Sequence, residues 1–293
     1  MTMTNEAFID AAWTDHADRP EEVADRLAGA LPQLQAKVDI PPFVRIVTHV
    51  FGEHLARWNT GVDLLLSLRR LPCGDSDPDI AGLIERNVAG LRYAGSADAD
   101  LTHLSVEDRI AALAIAGSAL AGQRDYKRAI AAFDAALLQA APGVPPGSPA
   151  LRALAVAGNN LAASLEEKPD RDAPETQGML TAAEGGLKYW KLAGTWLEHE
   201  RAEYRLARSL LQAGAPARAM ESARRCIAVC EANDAPAFER FFGWAVLAIA
   251  QRGMGDHPAF EASRQQALGQ YAMIAPDDQK WCDAERKELG ASE

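Results

Sequence analysis

The chain has 293 residues, of which 48% are apolar and 24% charged, so it can bury a sizeable core and does not have the composition of a disordered chain. Its net charge of −11 repels nucleic-acid backbones and anionic membrane surfaces, and its first residues lack the basic and apolar regions of a secretory signal. We therefore expect a folded cytoplasmic protein that binds neither nucleic acid nor membrane, and the many Ala and Arg residues are typical of a bacterial source.

Apolar residues recur with the spacing of an α-helix along nearly the whole chain, and no convincing stretch alternates with a period of two. Breakers rich in Pro, Gly and Asp separate the periodic stretches. The pattern predicts helices over residues 5–15, 20–36, 41–57, 58–71, 79–94, 105–122, 125–140, 148–166, 174–191, 195–213, 216–232, 236–253, 257–273 and 277–288. We expect an all-α fold of antiparallel helical hairpins with short joints.

The clearest internal pattern lies in residues 110–143. Small side chains at Gly117 and Ala129 let two helix backbones approach closely, while Tyr126 and Phe133 fill the wedge between them. The outer faces of such a hairpin still need neighbours, which predicts a stack of hairpins. Weaker versions of the pattern recur downstream, with corresponding small residues at Gly158, Ala207 and Ala248.

This pattern resembles the tetratricopeptide repeat (TPR). The matching residues are Ala116-Gly117, Tyr126, Ala129, Phe133, Ala136-Leu137 and, one position late, Pro142. The resemblance implies a TPR-like right-handed α-solenoid, with residues 1–75 as an N-terminal helical cap or divergent repeat and residues 76–293 as the repeat array, or with one continuous domain. It also implies a non-enzymatic scaffold or adaptor that binds a protein or peptide on its concave face.

The TPR-like frame places a row of polar side chains on this concave face, where they suit an acidic segment of a partner. The candidate partner-binding residues are Arg152, Asn159, Arg201, Tyr204, Arg205, Arg208 and Gln212. The alternative is a solvated helix face on which Glu198, Glu200 and Glu203 neutralise the arginines.

No pattern nominates catalytic residues, a cofactor or metal ligands. His49 and His54 fit no zinc motif with Glu53, because positions i and i+5 of an α-helix point about 140° apart. Cys226 and Cys230 lack further ligands nearby in the sequence, so we expect them to be core residues.

Two other functions stay open. One is a structural module that self-associates as a homodimer, with the last helix sealing the array through Trp281 packed inward and Leu289 near its end. The other is an enzyme on a helical scaffold, which would need a bound metal or a titratable pocket.

Overall fold

Helices make up nearly all the regular structure of the computed structural model, which describes residues 4–71 and 77–290. Over these two ranges no strand occurs, and no helix is both long and apolar enough to cross a membrane. The α-helices are α1 (Asn5–Asp15), α2 (Pro20–Ala30), α3 (Ile40–Thr48), α4 (Trp58–Leu68), α5 (Pro78–Gly95), α6 (Val106–Gly122), α7 (Tyr126–Ala140), α8 (Pro149–Glu166), α9 (Ala173–Ala193), α10 (Trp196–Gln212), α11 (Pro216–Ala232), α12 (Ala237–Gly253), α13 (His257–Tyr271), α14 (Pro276–Gln279) and α15 (Asp283–Glu288). The predicted all-α fold class is confirmed.

Three predicted helices are shorter or broken, and the one predicted over residues 41–57 continues after Thr48 as a π-helical turn, His49–His54. α2 ends at Ala30 instead of residue 36, because Pro32 cannot donate a backbone hydrogen bond and residues 31–33 tighten into a 3-10 turn. The helix predicted over residues 277–288 is divided into α14, a 3-10 turn and α15. The turn directs Cys282 inward and leaves Trp281 64% exposed, so the prediction that Trp281 packs inward is wrong. Leu289, near the end of the segment, is buried.

The chain divides into two compact units, Met1–Ser164 (unit 1) and Leu165–Glu293 (unit 2). The division expected from the sequence, between residues 75 and 76, lies outside the described residues and stays a prediction.

In unit 1, the helices from α1 to α5 share one hydrophobic cluster. It extends from Phe8 in α1 to Leu91 in α5, and the rings of Phe43 and Phe51 are buried within it. α5 also packs against α6, so this N-terminal core is continuous with the first well-formed hairpin.

That hairpin, formed by α6 and α7, has the packing that the sequence predicts. Ala129 is fully buried and Phe133 is 1% exposed. A Cβ atom at Gly117 would lie 3.5 Å from the carbonyl oxygen of Ala129, so the two backbones meet in direct contact. The hydroxyl of Tyr126 donates to the carbonyl oxygen of Ser164 at 3.1 Å, which fastens α8 beside the hairpin.

The same joint closes three of the hairpins: α6–α7 in unit 1, and α10–α11 and α12–α13 in unit 2. Its central residue has a left-handed backbone at Arg124, Gly214 and Gly255. The next amide then donates to a carbonyl five residues earlier, in the pairs Asp125–Leu120 (3.0 Å), Ala215–Leu210 (2.9 Å) and Asp256–Gln251 (3.0 Å). This arrangement satisfies carbonyl groups at the end of a helix and turns the chain sharply.

Unit 2 is built from consecutive neighbours. α9 packs against α10, α10 against α11, α11 against α12, and α12 against α13. Each helix therefore covers the apolar face of the one before it, which is the stacked-hairpin packing predicted for a TPR-like array.

Candidate functional site

Unit 1 contains a pocket of about 440 Å³. α3 supplies Arg45 and Thr48 to its wall, and α5, α6 and α8 supply Asn87, Ile115 and Arg152 among others. The volume lies in the range of small-molecule sites, roughly 300–1,000 Å³. The pocket is therefore large enough for a compact ligand or for one or two side chains of a partner.

Arginines give this pocket a positive character. Arg86 is paired with Asp108, with 3.4 Å between the guanidinium and carboxylate atoms. Partial burial lowers the pKa of the Arg45 guanidinium, and the neighbouring charge of Arg152 lowers this pKa further. Among the described residues Arg45 forms no ion pair, so an anion in the pocket would relieve the repulsion between these two arginines.

Polar contacts hold the pocket wall in place. The hydroxyl of Thr48 donates to Asn87 Oδ1 at 3.0 Å, and the Asn87 amide donates to the carbonyl oxygen of Leu83 at 2.8 Å. A Cβ atom at Gly90 would lie 2.7 Å from Ile115 Cγ2, so only glycine lets α5 and α6 approach this closely. The pocket is thus preformed by packing and by hydrogen bonds.

Of the two candidate residues that the sequence placed on α8, one belongs to this pocket. Arg152 lines it, whereas the lining residue about two turns further along α8 is Asn160 and not the predicted Asn159. The partner-binding role expected for Arg152 and Asn159 stays a prediction.

Three histidines come together in unit 1. His16 directly follows α1, while His49 and His54 are the first and last residues of a π-helical turn, His49–His54, which continues α3. The ligand atoms of the three side chains all lie within 4.8 Å of one another, and the Nε2 atoms of His49 and His54 are 3.1 Å apart.

The expectation that His49 and His54 point about 140° apart is wrong, because it assumed α-helical geometry. In a π-helix the backbone hydrogen bond joins residues five apart, and the amide of Leu55 accordingly donates to the carbonyl of Val50 at 3.1 Å. Positions i and i+5 therefore lie on the same face.

Neighbouring groups orient this histidine cluster. His49 Nδ1 is 3.0 Å from a carboxylate oxygen of Glu53, and the Trp13 ring packs 5.1 Å from the His49 ring. The amide of Gln123 donates to the backbone carbonyl of Glu53 at 2.8 Å, which ties the π turn to the end of α6. Burial lowers the pKa of His54, and the nearby His49 adds to this effect, so the His54 imidazole is neutral at physiological pH.

Unit 2 contains the arginine face predicted on α10, and its polar side chains already contact other segments of the unit. The pairs are Arg201–Glu239, Arg205–Glu166, Arg208–Glu288 and Gln212–Arg171. Glu203, expected to neutralise these arginines, instead binds Lys191 and Arg225. The arginines are thus neutralised by carboxylates from other segments and not by Glu203 of their own helix.

The chain's own acidic C-terminal segment covers part of this arginine face. Arg208 binds Glu288 at 2.7 Å, and the hydroxyl of Tyr204 donates to the carboxylate of Glu285. Arg264 donates to the carbonyl oxygen of Leu289 at 2.9 Å. The sequence predicts that Tyr204 and Arg208 bind carboxylates of an acidic partner. In the structure, carboxylates of the chain's own C-terminal segment occupy these positions.

A second cluster is fully buried in unit 2. The thiol of Cys226 donates to a carboxyl oxygen of Glu200 at 2.9 Å, and Cys230 lies in the same group of potential ligands. Burial raises the pKa of Glu200 far above its usual range, and the adjacent Glu239 raises it further, so this carboxyl is protonated at neutral pH. The prediction that both cysteines are core residues is confirmed. The sequence analysis placed Glu200 with the arginines of α10 and not with the cysteines, because Glu200 lies 26 residues before Cys226 in the chain.

Known proteins are only weakly similar to this chain. No protein-family model and no curated protein matches the chain. A crystal structure described as Podosopora anserina putative kinesin light chain nearly identical TPR-like repeats is 14% identical, covers 74% of this chain and 95% of its own, and has a TM-score of 0.46. The TPR-like description of the present chain rests on the hairpins and joints of each unit.

Proposed function

We propose that this protein is a non-enzymatic scaffold that binds another protein, and that the unit 1 pocket receives an acidic side chain of that partner. The observation that carries the proposal is Arg45, which reaches the pocket beside the like-charged Arg152 and has no ion-pair partner among the described residues. Stacks of TPR-like hairpins commonly serve protein interaction, which supports a protein as the ligand.

The chemistry of the pocket suits a carboxylate carried by a peptide. A guanidinium presents a planar fork of donors that matches a carboxylate in two parallel hydrogen bonds. Leu83, Ile115 and Val156 line the same pocket and offer apolar surface to the stem of the side chain. Because the pocket is preformed, binding requires little ordering of the protein, and a few contacts suffice for useful affinity.

Unit 2 also binds carboxylates with arginine and tyrosine side chains. Its arginine face holds the chain's own Glu285 and Glu288. The residues proposed on α10 can therefore bind a partner only if that partner replaces the groups they now contact. These residues are Arg201, Tyr204, Arg205, Arg208 and Gln212. An external acidic segment would bind Tyr204 and Arg208 by displacing the segment around α15. To bind Arg201 and Arg205 it would replace Glu239 and Glu166.

The test uses fluorescently labelled peptides: one rich in Asp and Glu, and one of equal length with Asn and Gln in their place. We expect fluorescence anisotropy to detect binding of the acidic peptide only, with an affinity that Arg45→Gln lowers at least about tenfold, since a hydrogen bond to a charged group contributes about 1.5–3 kcal/mol. The matched control is Arg92→Gln, an equal charge change at an exposed position of α5 outside the pocket.

Two results would overturn the proposal. If the wild type binds both peptides equally, carboxylate recognition is wrong. If Arg45→Gln and Arg92→Gln weaken binding to the same extent, the peptide responds to the overall charge and not to the pocket.

The proposal places the protein in the cytoplasm, and the three free, buried cysteines of the described chain support a reducing compartment. The homodimer and the enzyme on a helical scaffold stay predictions from the sequence.

A further inference from the structure

The distances within the histidine cluster of unit 1 match those of a metal site. Zinc binds imidazole nitrogen at about 2.0–2.1 Å in tetrahedral geometry, which places two ligand nitrogens roughly 3.3 Å apart. The Nε2 atoms of His49 and His54 are 3.1 Å apart, and the nearest nitrogen of His16 completes a triangle whose sides are all within 4.8 Å. A movement of the His16 side chain by at most about 1.5 Å closes the remaining gap.

The contacts around the histidines are those that orient metal ligands. A ligating histidine usually donates its other ring N–H to a carboxylate or a backbone carbonyl, which fixes the tautomer. His49 has Glu53 in this position at 3.0 Å, and His16 has the backbone carbonyl of Trp13 next to its Nδ1. These contacts hold the proton of each ring on Nδ1 and leave Nε2 of His49 and His16 as the potential metal ligand.

The cluster is also accessible from the unit 1 pocket. Its three histidines are half-buried, and both His49 and Glu53 line the pocket wall. Three histidines supply three ligands, so a tetrahedral ion keeps its fourth position for water or another donor. Imidazole ligands favour zinc and similar transition metals, whereas magnesium prefers oxygen.

We propose that His16, His49 and His54 bind one Zn²⁺ ion, with an open coordination position on the side of the unit 1 pocket. His49 and His54 supply their ligands from one π turn, and His16 joins them from the end of α1. The zinc proposal does not rest on the peptide-binding proposal, because none of its three ligands is an arginine of the pocket.

The experiment is calorimetric titration of the EDTA-treated chain, residues 1–293, with ZnCl₂ near neutral pH. We expect one ion per chain at this site, no binding of Mg²⁺, and loss of the zinc site in His54→Gln. The control His103→Gln removes an exposed histidine that pairs with Glu85 elsewhere in unit 1, and zinc affinity should be unchanged.

A second pair of variants separates this site from the buried cysteine cluster and from a folding defect. Glu53→Gln keeps all three ligands and should weaken zinc binding about 10- to 100-fold, the usual effect of removing the group that orients a ligand. Circular dichroism of Glu53→Gln should show the same helix content as the wild type. Cys226→Ser/Cys230→Ser should retain the ion bound by the histidines.

Three results would overturn the proposal. The first is no zinc binding by the wild type. The second is equal zinc affinity in His54→Gln and His103→Gln. The third is loss of all zinc binding in the double cysteine variant while His54→Gln retains it, which would assign the ion to Glu200 and the two cysteines.

Discussion

Gly122, the last residue of α6, is the point at which α6 meets the π turn. A Cβ atom at this position would lie 2.5 Å from the carbonyl oxygen of Glu53 and 2.8 Å from its Cα. Both atoms belong to the backbone, so no side-chain rotation relieves the clash. We therefore predict that Gly122→Ala pushes the π turn away from α6 and destabilises unit 1.

The size of the effect follows from two opposing contributions. Overpacking a well-packed contact costs about 1–3 kcal/mol, and two contacts with backbone atoms below 3 Å place this case toward the upper end. Replacing a helical glycine by alanine returns up to about 1 kcal/mol, and less at the end of a helix. We expect a net loss of about 1–2 kcal/mol, which lowers the melting temperature by roughly 2–8 °C for a domain of this size.

Urea and thermal denaturation followed by circular dichroism measure this loss. The matched control is Gly29→Ala in α2, where an added Cβ atom has no neighbour within 4 Å among the described residues. It should raise stability by up to about 1 kcal/mol through helix propensity and a less flexible unfolded chain. If Gly122→Ala stabilises the protein as much as Gly29→Ala does, the close contact between α6 and the π turn is refuted.

Two further substitutions test the core of each unit. Phe133→Ala should destabilise unit 1 by about 3–5 kcal/mol through the cavity it leaves, whereas Leu138→Ala, at a side chain 76% exposed on the same helix, should change stability by at most about 0.5 kcal/mol in urea denaturation. Since burial raises the pKa of Glu200, the folded chain keeps a proton that the unfolded chain releases, so stability falls as the pH rises above the ordinary carboxyl pKa. The free energy of unfolding of Glu200→Gln, relative to that of the wild type, should therefore be higher at about pH 8 than at about pH 5. An equal difference at both pH values would contradict the raised pKa.

The geometry of the histidine cluster could not be predicted from the sequence. His49, Glu53 and His54 stand out in the sequence, but their ligating geometry depends on whether the turn that holds them is α or π. The choice depends on packing against other elements, including the amide of Gln123, which lies 70 residues from Glu53 in the chain. His16 joins from a different helix, and no local spacing could indicate it.

The amino-acid sequence by itself determined the helices, their hairpins and the close packing at Gly117 and Ala129. These features depend on periodicity, small residues and breakers within a few turns of chain, so they can be read locally. Only the tertiary structure decided the partners of the polar side chains. Arg201 meets Glu239 across 38 residues and Arg208 meets Glu288 across 80, and such pairs form only when packing brings distant segments together. The helix face on which an arginine lies follows from the local sequence, whereas the carboxylate that pairs with it depends on the tertiary structure.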